Sequence, residues 1–293
     1  MKIETKGMIY GFLGIIAFGL TLPMTKMITP YLNPIFIGLG RSTFAAIIAL
    51  ILLLIYINNI PTRKQIYKLG IVSIGVVVGF PVFTAVAMQS VPASHGAIVI
   101  GILPLFTAIS GSIIAKEKPS LYFWLLSLIG TGLVVFYTLL QGSGSFHKAD
   151  IYLFMAVLFV SVGYAVGGKL SKEMGGWQVI CWAIVISFPF IVLPTIYYAP
   201  KNILNLSIST YIGFLYLSLI SQLLGFFLWY KGLSIGGIAR VSQVQLLQIF
   251  ITIIASYLLL EEVIDTKMIL FAVLVVLTVG AGKKMPIIKC EDK

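Results

Sequence analysis

Residues 236–260 read GGIARVSQVQLLQIFITIIASYLLL. A helix needs about 20 mostly apolar residues to cross a bilayer, and this run supplies them without an aspartate, a glutamate or a lysine. Its polar residues are ordered. At 3.6 residues per turn, with Arg240 set at zero, Gln248, Thr252, Gln245 and Ser256 fall near about 80°, 120°, 140° and 160°. They form one stripe on an otherwise apolar helix. Polar side chains at membrane depth face protein or a water-filled cavity rather than lipid, so this helix belongs to a bundle. Two readings of the stripe stand side by side: hydrogen bonds to a polar solute, or hydrogen bonds that join helices.

The rest of the chain has the same character. Of its 293 residues 59% are hydrophobic and only 10% charged, against about 25% charged in a soluble domain. Mean hydropathy is +1.07. The sequence lacks the charge to coat a soluble surface, and the solvent for most of it is lipid. The net charge of +11 does not point to nucleic acid. A nucleic-acid binder clusters its basic residues on one polar face beside stacking aromatics; here they sit in short breaks between apolar runs.

Nine further runs resemble the first. The expected spans are 7–27, 34–57, 69–89, 93–115, 121–140, 151–168, 177–199, 209–230, 236–260 and 266–282. Ser90, Val91 and Pro92 separate the third from the fourth. The first begins with Lys2 and Lys6 like a signal peptide, but it is too long for one and no small-residue cleavage site follows, so it is expected to be retained. Cytoplasmic loops carry the excess of Lys and Arg. With the N-terminus inside, fourteen basic residues fall inside and four (Lys26, Lys148, Lys201 and Lys267) outside; Arg41 and Arg240 lie within spans, completing the chain's 20. Such a split predicts ten spans with both termini cytoplasmic.

The two halves look alike. Laying Ser90 over Ser234, an offset of 144 residues, also places Phe106 on Phe250, Ser112 on Ser256 and Glu117 on Glu261. Five spans per half is an odd number, so the second half sits inverted, a recurrent architecture of secondary transporters. The expected organisation is a first repeat at 7–140, a connecting loop at 141–150, a second repeat at 151–284 and a cytoplasmic tail at 285–293. By this offset Gln245, Gln248 and Thr252 correspond to Gly101, Pro104 and Ala108, small residues that leave room opposite the stripe.

Local features carry a resemblance. Gly19-Leu20-Thr21-Leu22-Pro23-Met24-Thr25-Lys26 ends the first span, Arg41 stands early in the second, and Ile102-Leu103-Pro104-Leu105-Phe106 in the fourth leads to Lys116-Glu117-Lys118-Pro119. With the ten-span duplication, these resemble the drug/metabolite transporter superfamily, in particular the EamA-like transporters, over about residues 7–284. The chain departs from the family in having Phe18-Gly19 where Trp-Gly is common, and Gln248 where the ninth span often has proline. The resemblance implies a central cavity lined by spans one, three, four, six, eight and nine, with five and ten at the periphery. It also implies export of amino acids or other metabolites.

The fold class expected is therefore an all-α membrane protein of ten transmembrane helices in two inverted five-helix repeats, multi-pass in the cell (plasma or inner) membrane. The function expected is a secondary transporter working by alternating access. Its partners are a small-molecule substrate and the lipid bilayer, with no nucleic acid, and a homodimer is left open. The expected substrate-binding residues are Gln245, Gln248, Thr252, Arg240, Tyr164, Gln222, Pro104 and Thr21. Arg240 could meet a substrate carboxylate or snorkel to the cytoplasmic headgroups; Arg41 is expected to snorkel to the outer side. Ser221, Trp229 and Tyr230 are further cavity candidates, although an interfacial belt is the ordinary expectation for Trp229 and Tyr230, and His95 is expected at the outer interface. Gly19 with Pro23, Gly79 with Pro81, and Gly163, Gly167 and Gly168 are candidate breaks or close-packing points.

All nine acids lie at span ends or in loops. A buried carboxylate is the usual ion carrier, so a uniporter, an exchanger or coupling through another group is expected. No cofactor is implied. Cys181 and Cys290 form no disulfide or metal spacing, and His95 and His147 no zinc motif. An enzyme would need a nucleophile with its base, or a metal cluster. A channel or lipid scramblase would need a continuous polar lining or a charged ring, which one stripe does not supply.

Overall fold

The computed structural model describes residues 3–56, 60–141, 147–282 and 287–289. Helix dominates, as it must where backbone groups find no water. In chain order the long helical stretches are α1 (Ile3–Ile28), α2 (Pro34–Tyr56), α3 (Arg63–Ala87), α4 (Ala93–Ile114), α5 (Leu121–Gln141), α6 (Lys148–Met174), α7 (Gly176–Tyr197), α8 (Ile208–Gly236), α9 (Ile238–Leu260) and α10 (Thr266–Gly282). Eight of them, all but α5 and α10, are long and apolar enough among the described residues to cross a membrane. Glu117–Pro119 (β1) pairs antiparallel with Ile287–Lys289 (β2), the one departure from all-α among those residues. Most of the expected connecting loop and tail lies outside the described residues.

Packing repeats itself. α1 lies on α8 and α9, while α6 lies on α3 and α4. The pairs α2/α7, α4/α9 and α5/α10 pack on each other. Irregular backbone repeats too. α3 carries π-helical turns at Ser73–Gly79 and α8 at Tyr216–Leu224, so the two segments end 145 residues apart. The two non-glycine residues of positive φ, Lys116 and Glu261, are also 145 apart, each at φ 54°. The internal correspondence is therefore 145, not the 144 read from the sequence. One residue turns a helix by about 100°, so the partners of Gln245, Gln248 and Thr252 become Ile100, Leu103 and Thr107.

Glycine governs how closely the helices meet. A Cβ on Gly232 of α8 would stand 2.7 Å from the Gly11 nitrogen and 2.8 Å from the Gly7 carbonyl oxygen of α1. Those atoms are backbone and have nowhere to go. Gly163 of α6 meets Val76 of α3, and Gly167 and Gly168 of α6 meet Tyr230 and Leu233 of α8. α6 runs unbroken through these three glycines, so of their two expected roles they serve packing.

Candidate functional site

The site forms where three helices break. α1 breaks at Leu20, between Ile3–Gly19 and Thr21–Ile28. Proline has no N–H to give to the carbonyl four residues back; Pro23 so releases the Gly19 carbonyl, and Thr252 Oγ1 of α9 donates to it at 2.7 Å. α4 breaks at Gly101 and Ile102, just before Pro104. α9 tightens to a 3₁₀ turn at Gln243–Gln245. Between these breaks lies a cavity lined by Leu22, Ala97, Ile100, Gly101, Leu103, Gln245, Gln248, Ile249 and Thr252. Its volume of about 10 Å³ holds roughly one water. The site is closed in this state.

The stripe on α9 divides. Thr252 is committed to α1, and Gln248 Nε2 makes a long 3.4 Å contact with the Phe18 carbonyl. Gln245 is different: it is buried and both of its amide atoms lack a partner. Left so, each costs about 1–3 kcal/mol. Thr107 Oγ1 on α4, the repeat-mate of Thr252, is also without a partner, though it does not line the cavity. Unspent hydrogen-bonding capacity at the cavity thus comes from Gln245.

The remaining expected residues lie elsewhere. Thr21 Oγ1 and Ser221 Oγ share a hydrogen bond of 2.8 Å. Tyr164 is buried against Phe226 and Trp229, ring centres 5.9 and 5.3 Å away. Pro104 is buried in α4 but does not line the cavity. Gln222 accepts from Arg41. Arg240 pairs with Glu4 at the start of α1, away from the cavity. Of the eight residues, only Gln245, Gln248 and Thr252 line it. Its walls come from α1, α4 and α9, fewer helices than the six the resemblance implied.

Three other expectations are corrected. Arg41 does not snorkel: it is 2% exposed, and its Nε and Nη2 both donate to Gln222 Oε1, at 3.1 and 2.8 Å. Trp229 and Tyr230 are fully buried rather than interfacial, because Gly11 and Gly167 admit their rings between helices. His95 is buried, its Nε2 2.7 Å from Asp150 Oδ1 at the start of α6. Glu117 and Asp150 do lie at helix ends or in connections, as expected, but they are buried there.

Those acids do a job the sequence hid. A helix N-terminus leaves its first N–H groups unpaired and carries partial positive charge. Glu117, after α4, accepts from the Ile238 and Ala239 nitrogens at the start of α9, at 2.8 and 2.7 Å. Glu262, after α9, accepts from the Ala93 and Ser94 nitrogens at the start of α4, at 2.7 and 3.0 Å, and from Ser94 Oγ at 2.6 Å. The two caps are again 145 residues apart and lie at opposite ends of the antiparallel α4/α9 pair. Beside each a basic side chain meets an acid, His95 with Asp150 and Arg240 with Glu4; the basic residues are 145 apart and the acids 146. A 360 Å³ recess lined by Ser94, His95, Tyr137, Glu262 and Asp265 adjoins the first pair. No group of three or more His, Cys, Asp or Glu able to hold a metal occurs among the described residues.

Comparison with known proteins identifies the family and the fold. The EamA-like transporter family matches the chain twice, over residues 5–139 and 147–280. The uncharacterized transporter YdeK of Bacillus subtilis (strain 168) is 36% identical over 284 residues, covering 97% of this chain and 99% of that one. Protein PecM of Dickeya dadantii (strain 3937) is 24% identical over 267 residues, covering 86% and 84%. A crystal structure of another protein, 14% identical, superposes with a TM-score of 0.70 over 95% of this chain and 98% of that one, a likeness of fold alone.

Proposed function

Since the chain belongs to the EamA-like transporter family and is a multi-pass membrane transporter rather than an enzyme, we propose that it is a secondary carrier. It exports a small organic metabolite, such as an amino acid or a related compound, across the cell membrane by alternating access. Ten helices cross the bilayer as two inverted five-helix repeats, 7–140 and 151–284, with both termini cytoplasmic. The solute binds between α4 and α9, on Gln245, Gln248 and Thr252.

The observation that carries this reading is the pair of carboxylate caps. Alternating access needs a central site with equivalent closures at its two ends, each able to open while the other holds. Glu117 and Glu262 close the two ends of the α4/α9 pair by the same contact, and each has a basic residue bonded to an acid beside it. The small cavity between them, apolar but for Gln245, Gln248 and Thr252, suits a carrier caught between its open states. A channel would keep a continuous wetted path.

A thermal-shift screen against amino acids, nucleosides and cationic drugs identifies a solute, because a ligand that binds only the folded state raises Tm by mass action. With that solute in proteoliposomes, Gln245→Leu combined with Gln248→Leu is expected to lower flux at least tenfold. Tm is expected to hold or rise, since Gln245 has no hydrogen bond to lose. Saturable, trans-stimulated uptake in the unmodified protein is expected as well. Undiminished flux in the folded double variant would remove these glutamines from the site.

A further inference from the structure

Arg41 is a buried cation with no counter-charge. It sits about two turns into α2, 2% exposed. Among the described residues no carboxylate lies within ion-pair distance of its guanidinium. Burying an ionised group without a partner is costly, and in a membrane such residues mark solute or ion pathways. What holds Arg41 in place is one neutral oxygen, Gln222 Oε1, which receives both Nε and Nη2.

This geometry leaves a particular vacancy. A guanidinium has five N–H donors in a planar fork. Two are used on Gln222, and they occupy the Nε side of the fork. The opposite edge, with Nη1 and the second hydrogen of Nη2, makes no hydrogen bond to the described residues. Gln222 Nε2, on the amide that accepts from Arg41, is also buried and has no partner. Two buried, bonded side chains thus keep unused donors, and no acceptor meets them. The ligand such a set recognises is a planar oxyanion that can take two parallel N–H bonds from arginine.

The surroundings can open. Gln222 lies in the π-helical turns of α8, and the residue after Arg41, Ser42, donates to the Val77 carbonyl in the π-helical turns of α3 at 2.9 Å. Such turns occur often at functional sites. The broken α1 links Arg41's surroundings to the cavity: Leu22 lines the cavity, while its neighbour Thr21 bonds Ser221, the neighbour of Gln222. Movement of this part of α1 away from α8 would open the cavity toward Gln222 and Arg41.

We propose that Arg41 and Gln222 form the anion subsite of the carrier, and that its solute bears a carboxylate. This rests on the carrier reading and names the class of solute. The test is a thermal-shift titration of the purified chain with acetate, lactate, alanine, leucine and glutamate, each beside its amide or, for glutamate, glutamine α-amide. At least one acid is expected to raise Tm saturably, with its amide requiring at least tenfold higher concentration. Arg41→Met should abolish the response and Arg41→Lys should retain part of it. Arg41→Met combined with Gln222→Leu removes both ends of the hydrogen bond, so its ligand-free Tm should match or exceed that of the unmodified protein. Amides that stabilise as well as acids, a panel without any stabilising acid, an undiminished response in Arg41→Met, or a double variant that melts several degrees lower would each overturn the proposal. Flux separates the two readings. Acid binding that needs Arg41 without any flux in proteoliposomes leaves the subsite and removes the carrier; flux of neutral solutes independent of Arg41 does the reverse.

Discussion

Replacing Glu117 with alanine is expected to lower the Tm of the purified protein by several degrees, the largest effect of any single charged residue in the fold. The carboxylate is buried and accepts two backbone N–H groups at the first turn of α9. Hydrogen bonds to a charged group are worth about 1.5–3 kcal/mol each, and a carboxylate at a helix N-terminus gains from the dipole as well. Alanine leaves two buried donors bare, for a loss of about 2–4 kcal/mol. Glu117→Gln keeps the shape but turns an amide N–H₂ toward a backbone N–H, so it should recover less than half. Glu262→Ala should cost less than Glu117→Ala although it removes three bonds, because Glu262 is only half-buried and water can replace it. Thermal unfolding in detergent reads all three. A Glu117→Ala shift within about a degree of zero would show that the contact is not a cap.

Gly232→Val is expected to yield no monodisperse folded protein. The α1/α8 contact has glycine on both sides: Gly7 and Gly11 face Gly232 and Gly236. Without a hydrophobic force between helices in lipid, association relies on close packing, and small residues allow the backbones to approach. Even a Cβ at 232 would sit 2.7–3.0 Å from three backbone atoms of α1. The helices must separate, and the break in α1 that walls the cavity moves with them. Gly70→Ala is the control, since nothing lies within 4 Å of a Cβ there. It should be neutral or stabilising by up to about 1 kcal/mol. Size-exclusion profiles after detergent extraction distinguish the outcomes: a sharp Gly232→Val peak with unchanged Tm would contradict the packing described.

The helices were legible in the sequence because lipid enforces them. A run without charges and about 20 residues long has few alternatives to a spanning helix, and eight such helices are present among the described residues. The α9 stripe was legible for the same reason, since polar residues on one face need protein behind them. What faced the stripe was not. Phe106 and Phe250 suggested an offset of 144, and that one residue turned the wrong side of α4 toward Gln245. The backbone at Lys116 and Glu261, and the caps that follow, correct it to 145.

Partners far apart in the chain were hidden altogether. His95 and Asp150 are 55 residues apart, Arg41 and Gln222 are 181 apart, and Glu117 reaches α9 over 121. Position along a helix placed each of these near an interface, where snorkelling is the ordinary expectation. Only the fold shows that Arg41 points inward. A sequence signal did exist for one of them: at the corrected offset His95 falls on Arg240, one basic residue type over another.

On the proposed reading α4 and α9 enclose one solute site with equivalent closures on opposite faces of the membrane, and a single cysteine decides it. In a chain with Cys181→Ser and Cys290→Ser, Gln248→Cys is placed in sealed vesicles and labelled with an impermeant thiol reagent from each side in turn. Labelling is expected from either face, with Glu117→Gln speeding it from the cytoplasmic face and Glu262→Gln from the opposite one. Acceleration from the same face by both substitutions, or labelling from neither face, would contradict that reading.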